Sequence, residues 1–228
     1  MSDVPSKPAK VGWLQALNVR YWRAPTVLAL IAANLIPLYG VMHWGWDLFV
    51  LMTAYWIETG IIGFFTAIRM VLVARWAGAL LLPFFCIHFG GFMAGHAVFL
   101  WALFSGPWQK QIASVGGLFD RLFFGTGLWI AFAALFISHG ASFYLNVLRP
   151  MRSSRDDPRN KPLPAGDLMM APYGRIVVMH VTILAGAFLL EVFKTPLAAF
   201  VLLIALKIVT DIAAHVRTNF AQIEAATK

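Results

Sequence analysis

Long apolar runs separated by short polar breaks are the dominant pattern along the chain. Strict alternation, the mark of a half-buried strand, is not sustained anywhere. Six runs approach the roughly 20 residues that carry a helix across about 30 Å of hydrocarbon: 26–41, 48–73, 77–104, 128–148, 176–190 and 196–216. The longest polar stretch, 149–175, is rich in Pro, Arg and Asp and predicts a loop. Residues 1–24 are polar and basic. Trp13, Tyr21 and Trp22 give them the look of an interfacial segment, and no small-residue cleavage site follows the first apolar run. The pattern predicts an all-α polytopic membrane protein, a bundle of six transmembrane helices forming one integral membrane domain over residues 1–228.

Composition narrows the class further. Of 228 residues, 60% are hydrophobic and only 12% charged, with a mean hydropathy of +0.74. A soluble domain carries about twice that share of charge, and a core of this size could not bury so much apolar surface. Soluble enzymes, disordered chains and disulfide scaffolds are excluded. The one cysteine, Cys86, lies inside an apolar run and reads as apolar filling.

The net charge of +8 changes meaning once its positions are sorted. Lys7, Lys10, Arg20 and Arg23 precede the first run. Arg69 and Arg75 lie between the second and third. Arg149, Arg152, Arg155, Arg159, Lys161 and Arg175 lie between the fourth and fifth, and Arg217 and Lys228 follow the sixth. The opposite side carries only Lys110, Arg121 and Lys194. The positive-inside rule therefore predicts that both termini are cytoplasmic, as an even number of spans requires. The excess charge is a topology signal in contact with membrane lipids, and no nucleic-acid module is present.

Ionisable residues at span depth are costly unless paired or facing a cavity. They are Glu58, His88, His96, His139, His180, Lys207, Asp211 and His215. Counted from the expected span ends, His88, His139, His180, Asp211 and His215 fall in the inner half of the bilayer. Glu58 falls near its middle, and His96 is the outlier toward the outside. His139, Ser142 and Asn146 form one polar stripe, and Lys207, Asp211 and His215 form another, each expected to face the bundle interior.

Imidazoles with a carboxylate at one depth suit a transition metal such as zinc, iron or copper. The expected ligands are His88, His139, His180, Asp211 and His215, with Glu58 as the catalytic proton-handling group. Arg69 and Arg175 are expected at the cytoplasmic interface, holding a substrate or lipid headgroup or snorkelling to the lipids. His96 is expected to be structural or part of an access path. This set predicts a metal-dependent membrane enzyme, a hydrolase or oxidase, acting on a lipid or other apolar small molecule near the inner leaflet. Other mechanisms use the same residues. A b-type haem could be held by His88/His180 or His139/His215, and a proton-coupled transporter could use the acids and histidines as relays. In an accessory subunit they would be structural, and Lys207–Asp211 could be only an ion pair.

Three segments carry a resemblance. Tyr55-Trp56-Ile57-Glu58 with Gly63 and Arg69-Met70 is similar to a YWxE signature. His88-Phe89-Gly90-Gly91-Phe92 with Gly95-His96 is similar to HFGxFxxGH. Pro172-Tyr173-Gly174-Arg175-Ile176 is followed by His180, and later by Asp211 and His215. Together they resemble an uncharacterised family of bacterial multi-span membrane proteins, a domain of unknown function. The resemblance covers nearly the whole chain and implies a protein of the bacterial inner membrane. It implies no activity, metal or substrate.

Overall fold

The computed structural model describes residues 36–153 and 164–193, with short helical pieces at 204–205, 208–209 and 212. The described residues form helices and turns without a strand. Three helices are long and apolar enough to cross a membrane: Leu48–Phe104, Leu128–Arg152 and Ala165–Phe193. Most of the expected runs 26–41 and 196–216, including Lys207, Asp211 and His215, lies outside the described residues.

A short helix, α1 (Ile36–His43), leads into α2 (Leu48–Phe104), which has 57 residues. Straight, α2 would extend about 85 Å at 1.5 Å per residue, nearly three hydrocarbon thicknesses. It is folded in two instead. Arg75 breaks the helical path with φ 51 and ψ −122, a backbone state that favours glycine at the corner of a tight turn. Contacts between the halves are symmetric about that residue. The indole of Trp56 donates to the Met93 carbonyl at 2.8 Å, Phe49 packs edge-on against Trp101, and Gly63 lies directly against the ring of Phe89. Arms 48–74 and 76–104 are therefore antiparallel, and each is about 40 Å long, close to the full thickness of a bilayer with its headgroups.

Close approach of the arms depends on small residues. A β-carbon at Gly63 would run into Phe89, and one at Gly78 would meet the backbone carbonyl of Met70. Glycine at these positions lets the arms pack, as at many membrane helix contacts.

The open end of the hairpin is closed by polar caps and tryptophans. Asp47 caps α2, accepting from the Val50 amide at 2.9 Å, and its other oxygen accepts from the Trp108 indole at 2.5 Å. Trp46 donates to the Thr126 carbonyl at 2.8 Å, and the Arg121 guanidinium lies over the Trp108 ring. This end holds α3 (Trp108–Gln111), α4 (Val115–Phe119) and a π-helical turn at Asp120–Gly125.

From there α5 (Leu128–Phe143) runs alongside the first arm in the same direction. Thr126 lies beside Trp46, while Phe136 and Phe143 lie beside Phe65. A second π-helical turn, Tyr144–Leu148, carries α5 into α6 (Arg149–Ser153). The turn inserts backbone into the 3.6-residue repeat, and the expected stripe through Ser142 and Asn146 is not held inside. Both residues are exposed, and the Asn146 amide donates to Ser142 instead.

The stretch 149–175 is not a loop throughout. Helix continues to Ser153 and resumes in α7 (Ala165–Met170), which packs on the hairpin through buried Leu168. Polar composition masks a local apolar run, Leu168 to Ala171, that suits a helix against protein. Pro172 interrupts the path, since it has no amide hydrogen to donate, and α8 (Tyr173–Phe193) follows at once. It runs beside the second arm in the same direction: Tyr173 lies against His88, Phe89 and Phe92, and His180 against His96 and Phe99.

Candidate functional site

Three elements meet around one carboxylate. Glu58 sits on the first arm about 25 Å from the Arg75 tip, within several ångströms of the middle of the bundle. The Arg175 guanidinium Nη2 lies 2.7 Å from Glu58 Oε1. His139 Nε2, on α5, lies 3.8 Å from the same oxygen. That is too long for a hydrogen bond but close enough for an ion pair when the imidazole is protonated. The Glu58 side chain is 12% exposed and that of Arg175 is 34% exposed, so the acid is the buried partner and the base reaches it from a more open side. A charge at this depth is tolerated when paired, and the short, charge-assisted contact provides the pairing.

Arg175 therefore meets Glu58 partway along the hairpin rather than lying at its tip. The expected span began at 176, which left Arg175 as its flank. The helical path beginning at Ala165 puts it about 15 Å further in. The same shift moves His180. It is level with His96, about 31 Å from the hairpin tip and toward the end that holds Trp108. Of the expected one-level set, His88 and His180 therefore lie at different heights along the hairpin.

The expected metal ligands separate in the same way. His88 Nδ1 is 2.7 Å from the Tyr173 hydroxyl, His139 faces Glu58, and His180 Nδ1 is 3.1 Å from His96 Nε2. Among the described residues, no three His, Cys, Asp or Glu side chains are grouped to hold a metal ion. Asp211 and His215 lie outside the described residues. Arg69 is half-buried near the hairpin tip, and its Nε has no hydrogen-bond partner among the described residues.

His96 becomes more important than its expected structural or access role. It is 3% exposed, with its partner ring exposed beside it. Tyr173 was no candidate at all, yet it anchors His88 and packs on Phe89 and Phe92. The signal for it was the Pro172-Tyr173-Gly174-Arg175 sequence. A proline followed by a glycine directly after an apolar run marks a helix restart, and the residues of that first turn point into whatever the restart faces.

The chain belongs to a family described as a family of unknown function (DUF6498), whose model matches residues 16–228. No curated protein and no solved structure matches the chain.

Proposed function

We propose that this membrane bundle is a proton-coupled transporter, in which Glu58 gains and loses the coupled proton and Arg175 holds it ionised between substrates. The observation that carries this reading is the 2.7 Å Arg175–Glu58 pair at mid-depth, with His139 at 3.8 Å. A guanidinium against a carboxylate forms a charge-assisted pair with its ionised form. An anionic substrate drawn to the more open Arg175 competes with Glu58 for it, and the carboxylate then takes up a proton. Substrate and proton thus move together, which is the coupling a symporter needs. The helix restart at Pro172 supports the same reading, because interrupted helices at membrane depth are typical of transporter binding sites.

The metal-dependent enzyme acting on a lipid receives less support. The Arg175 cation against Glu58 opposes a divalent ion at that carboxylate, and the described histidines pair off separately. A haem between His88 and His180 is opposed by their separate partners, Tyr173 and His96.

The topology we propose has six spans in a bacterial inner membrane with cytoplasmic termini. It is supported by the grouping of Arg69, Arg75, Arg149 and Arg152 toward the hairpin tip, opposite the end with Asp47, Lys110, Asp120 and Arg121.

The test uses the full chain in liposomes loaded with a pH-sensitive dye, with phosphate, sulfate or succinate added outside at neutral pH. At least one anion is expected to drive proton uptake, and Glu58→Gln is expected to abolish that coupling. No anion-driven uptake by the wild type, or equal uptake by Glu58→Gln, overturns the proposal.

A further inference from the structure

The site at Glu58 lies among three elements, and a coupled proton needs a route to it. The second histidine pair has the form of such a route. His96 on the second arm is buried, and His180 on α8 is exposed. Their nearest nitrogens are 3.1 Å apart, and the ring centroids are 5.3 Å apart. The centroid distance is nearly the nitrogen separation plus two ring radii, so the nitrogens face each other along the line of centres, as in a direct imidazole–imidazole hydrogen bond. Each ring has a second nitrogen on its far side. That of His180, Nε2, lies on the exposed ring. That of His96, Nδ1, is buried and makes no well-formed hydrogen bond among the described residues. It interacts with the Phe92 backbone one helical turn back, and a nitrogen held this loosely at the inner end of a hydrogen-bonded pair suits a group that hands a proton on.

We infer that His180 and His96 form a two-ring proton relay between the surface near the Trp108 end and Glu58. The inference rests on the proposed proton coupling at Glu58. One proton binds His180 Nε2. The proton on His180 Nδ1 passes to His96 Nε2, and the proton on His96 Nδ1 leaves toward the interior and protonates the Glu58 carboxylate. One proton enters and one is delivered, which leaves each ring in its other tautomer, and the rings reset by rotating about their side-chain bonds with the shared hydrogen bond broken. The level of His96 is about 6 Å beyond that of Glu58 along the bundle. Tyr55 is buried three residues before Glu58, on the same helical face and close to the level of His96. The titratable groups on the surrounding described elements are Tyr55 and Glu58 on the first arm, His88 on the second, His139 on α5, and Tyr173 and Arg175 on α8. His88 is already engaged with Tyr173, which leaves the relay to the other pair.

Two measurements test the relay on the full chain. In the dye-loaded liposomes, His180→Ala is expected to slow anion-driven proton uptake about a hundredfold, the low end for loss of a positioned proton-transfer group. Free imidazole in the outer buffer is expected to restore part of the rate, and His43→Ala is expected to leave it unchanged. In detergent or lipid, nitrogen-15 spectra of labelled histidine are expected to show a coupling between the facing nitrogens of the two rings, the mark of a direct hydrogen bond. His180→Ala and His96→Asn at wild-type rates overturn the relay while leaving the Glu58 reading intact. Absence of that coupling overturns it even if the wild type moves no protons, an outcome that by itself removes only the Glu58 reading.

Discussion

Glu58 and Arg175 depend on each other more than on the lipid around them. Removing the cation leaves a carboxylate at mid-depth with its strongest described partner gone. Arg175→Met is expected to destabilise the protein by about 3 kcal/mol, the low end for breaking a buried pair, because Arg175 is partly exposed. Glu58→Gln with Arg175→Met is expected to recover most of that loss, since neither charge then remains alone. A double-mutant cycle on unfolding in mild detergent checks both, and additive losses would show that the two side chains are not coupled. His139 belongs to the same site by distance alone. Tyr173→Phe should cost about 1 kcal/mol through loss of its contact with His88, without touching the Glu58 pair.

At the scale of elements, the hairpin is the frame on which both histidine pairs and the acid are mounted. Its geometry rests on a few backbone positions that can be varied one at a time. Gly63→Ala forces a methyl group into Phe89 and is expected to cost about 1–3 kcal/mol. Gly91→Ala meets open space among the described residues and is expected to be neutral or slightly stabilising, because alanine is the better helix former. Thermal unfolding of the two variants side by side checks the contrast. Arg75→Gly removes a side chain from a positive-φ turn and is expected to raise stability by about 1 kcal/mol. A lower melting temperature for that variant would show that Arg75 contributes more through its charge at the membrane surface than it costs in backbone strain.

The whole molecule has two unlike ends. One carries the Arg75 turn, and the other carries Trp46, Trp108 and the capped start of the hairpin. In a Cys86→Ser background, Arg75→Cys and Lys110→Cys are expected to react with a membrane-impermeant maleimide from opposite sides. Labelling of both from the same side would show that the hairpin does not traverse the bilayer. Native Cys86 is exposed but lies about 16 Å from the hairpin tip. It is expected to react with a lipid-soluble reagent and to resist the impermeant one, which places its exposed surface against lipid.

Much of this arrangement was legible in the chain itself. Apolar run lengths and the sidedness of basic residues follow from single-residue transfer energies, which need no knowledge of neighbours. They predicted helices, a membrane, and a break between residues 73 and 77 where Arg75 turns the hairpin. The cost of burying charge likewise marked Glu58 and the histidines as the residues to watch. Which of them meet was not legible, because that depends on where each helix starts and how neighbours are registered. A helical path beginning at Ala165 instead of 176 carried Arg175 from the expected interface to Glu58, and His180 to the level of His96. Ser142, still within α5, and Asn146, within the π-helical turn, both face outward. Depth read from run ends inherits every error in those ends at 1.5 Å per residue, while pairing within hydrogen-bond reach tolerates less than one residue of slip. The sequence by itself determined the solvent and the polar residues at stake, and only the tertiary structure decided their partners.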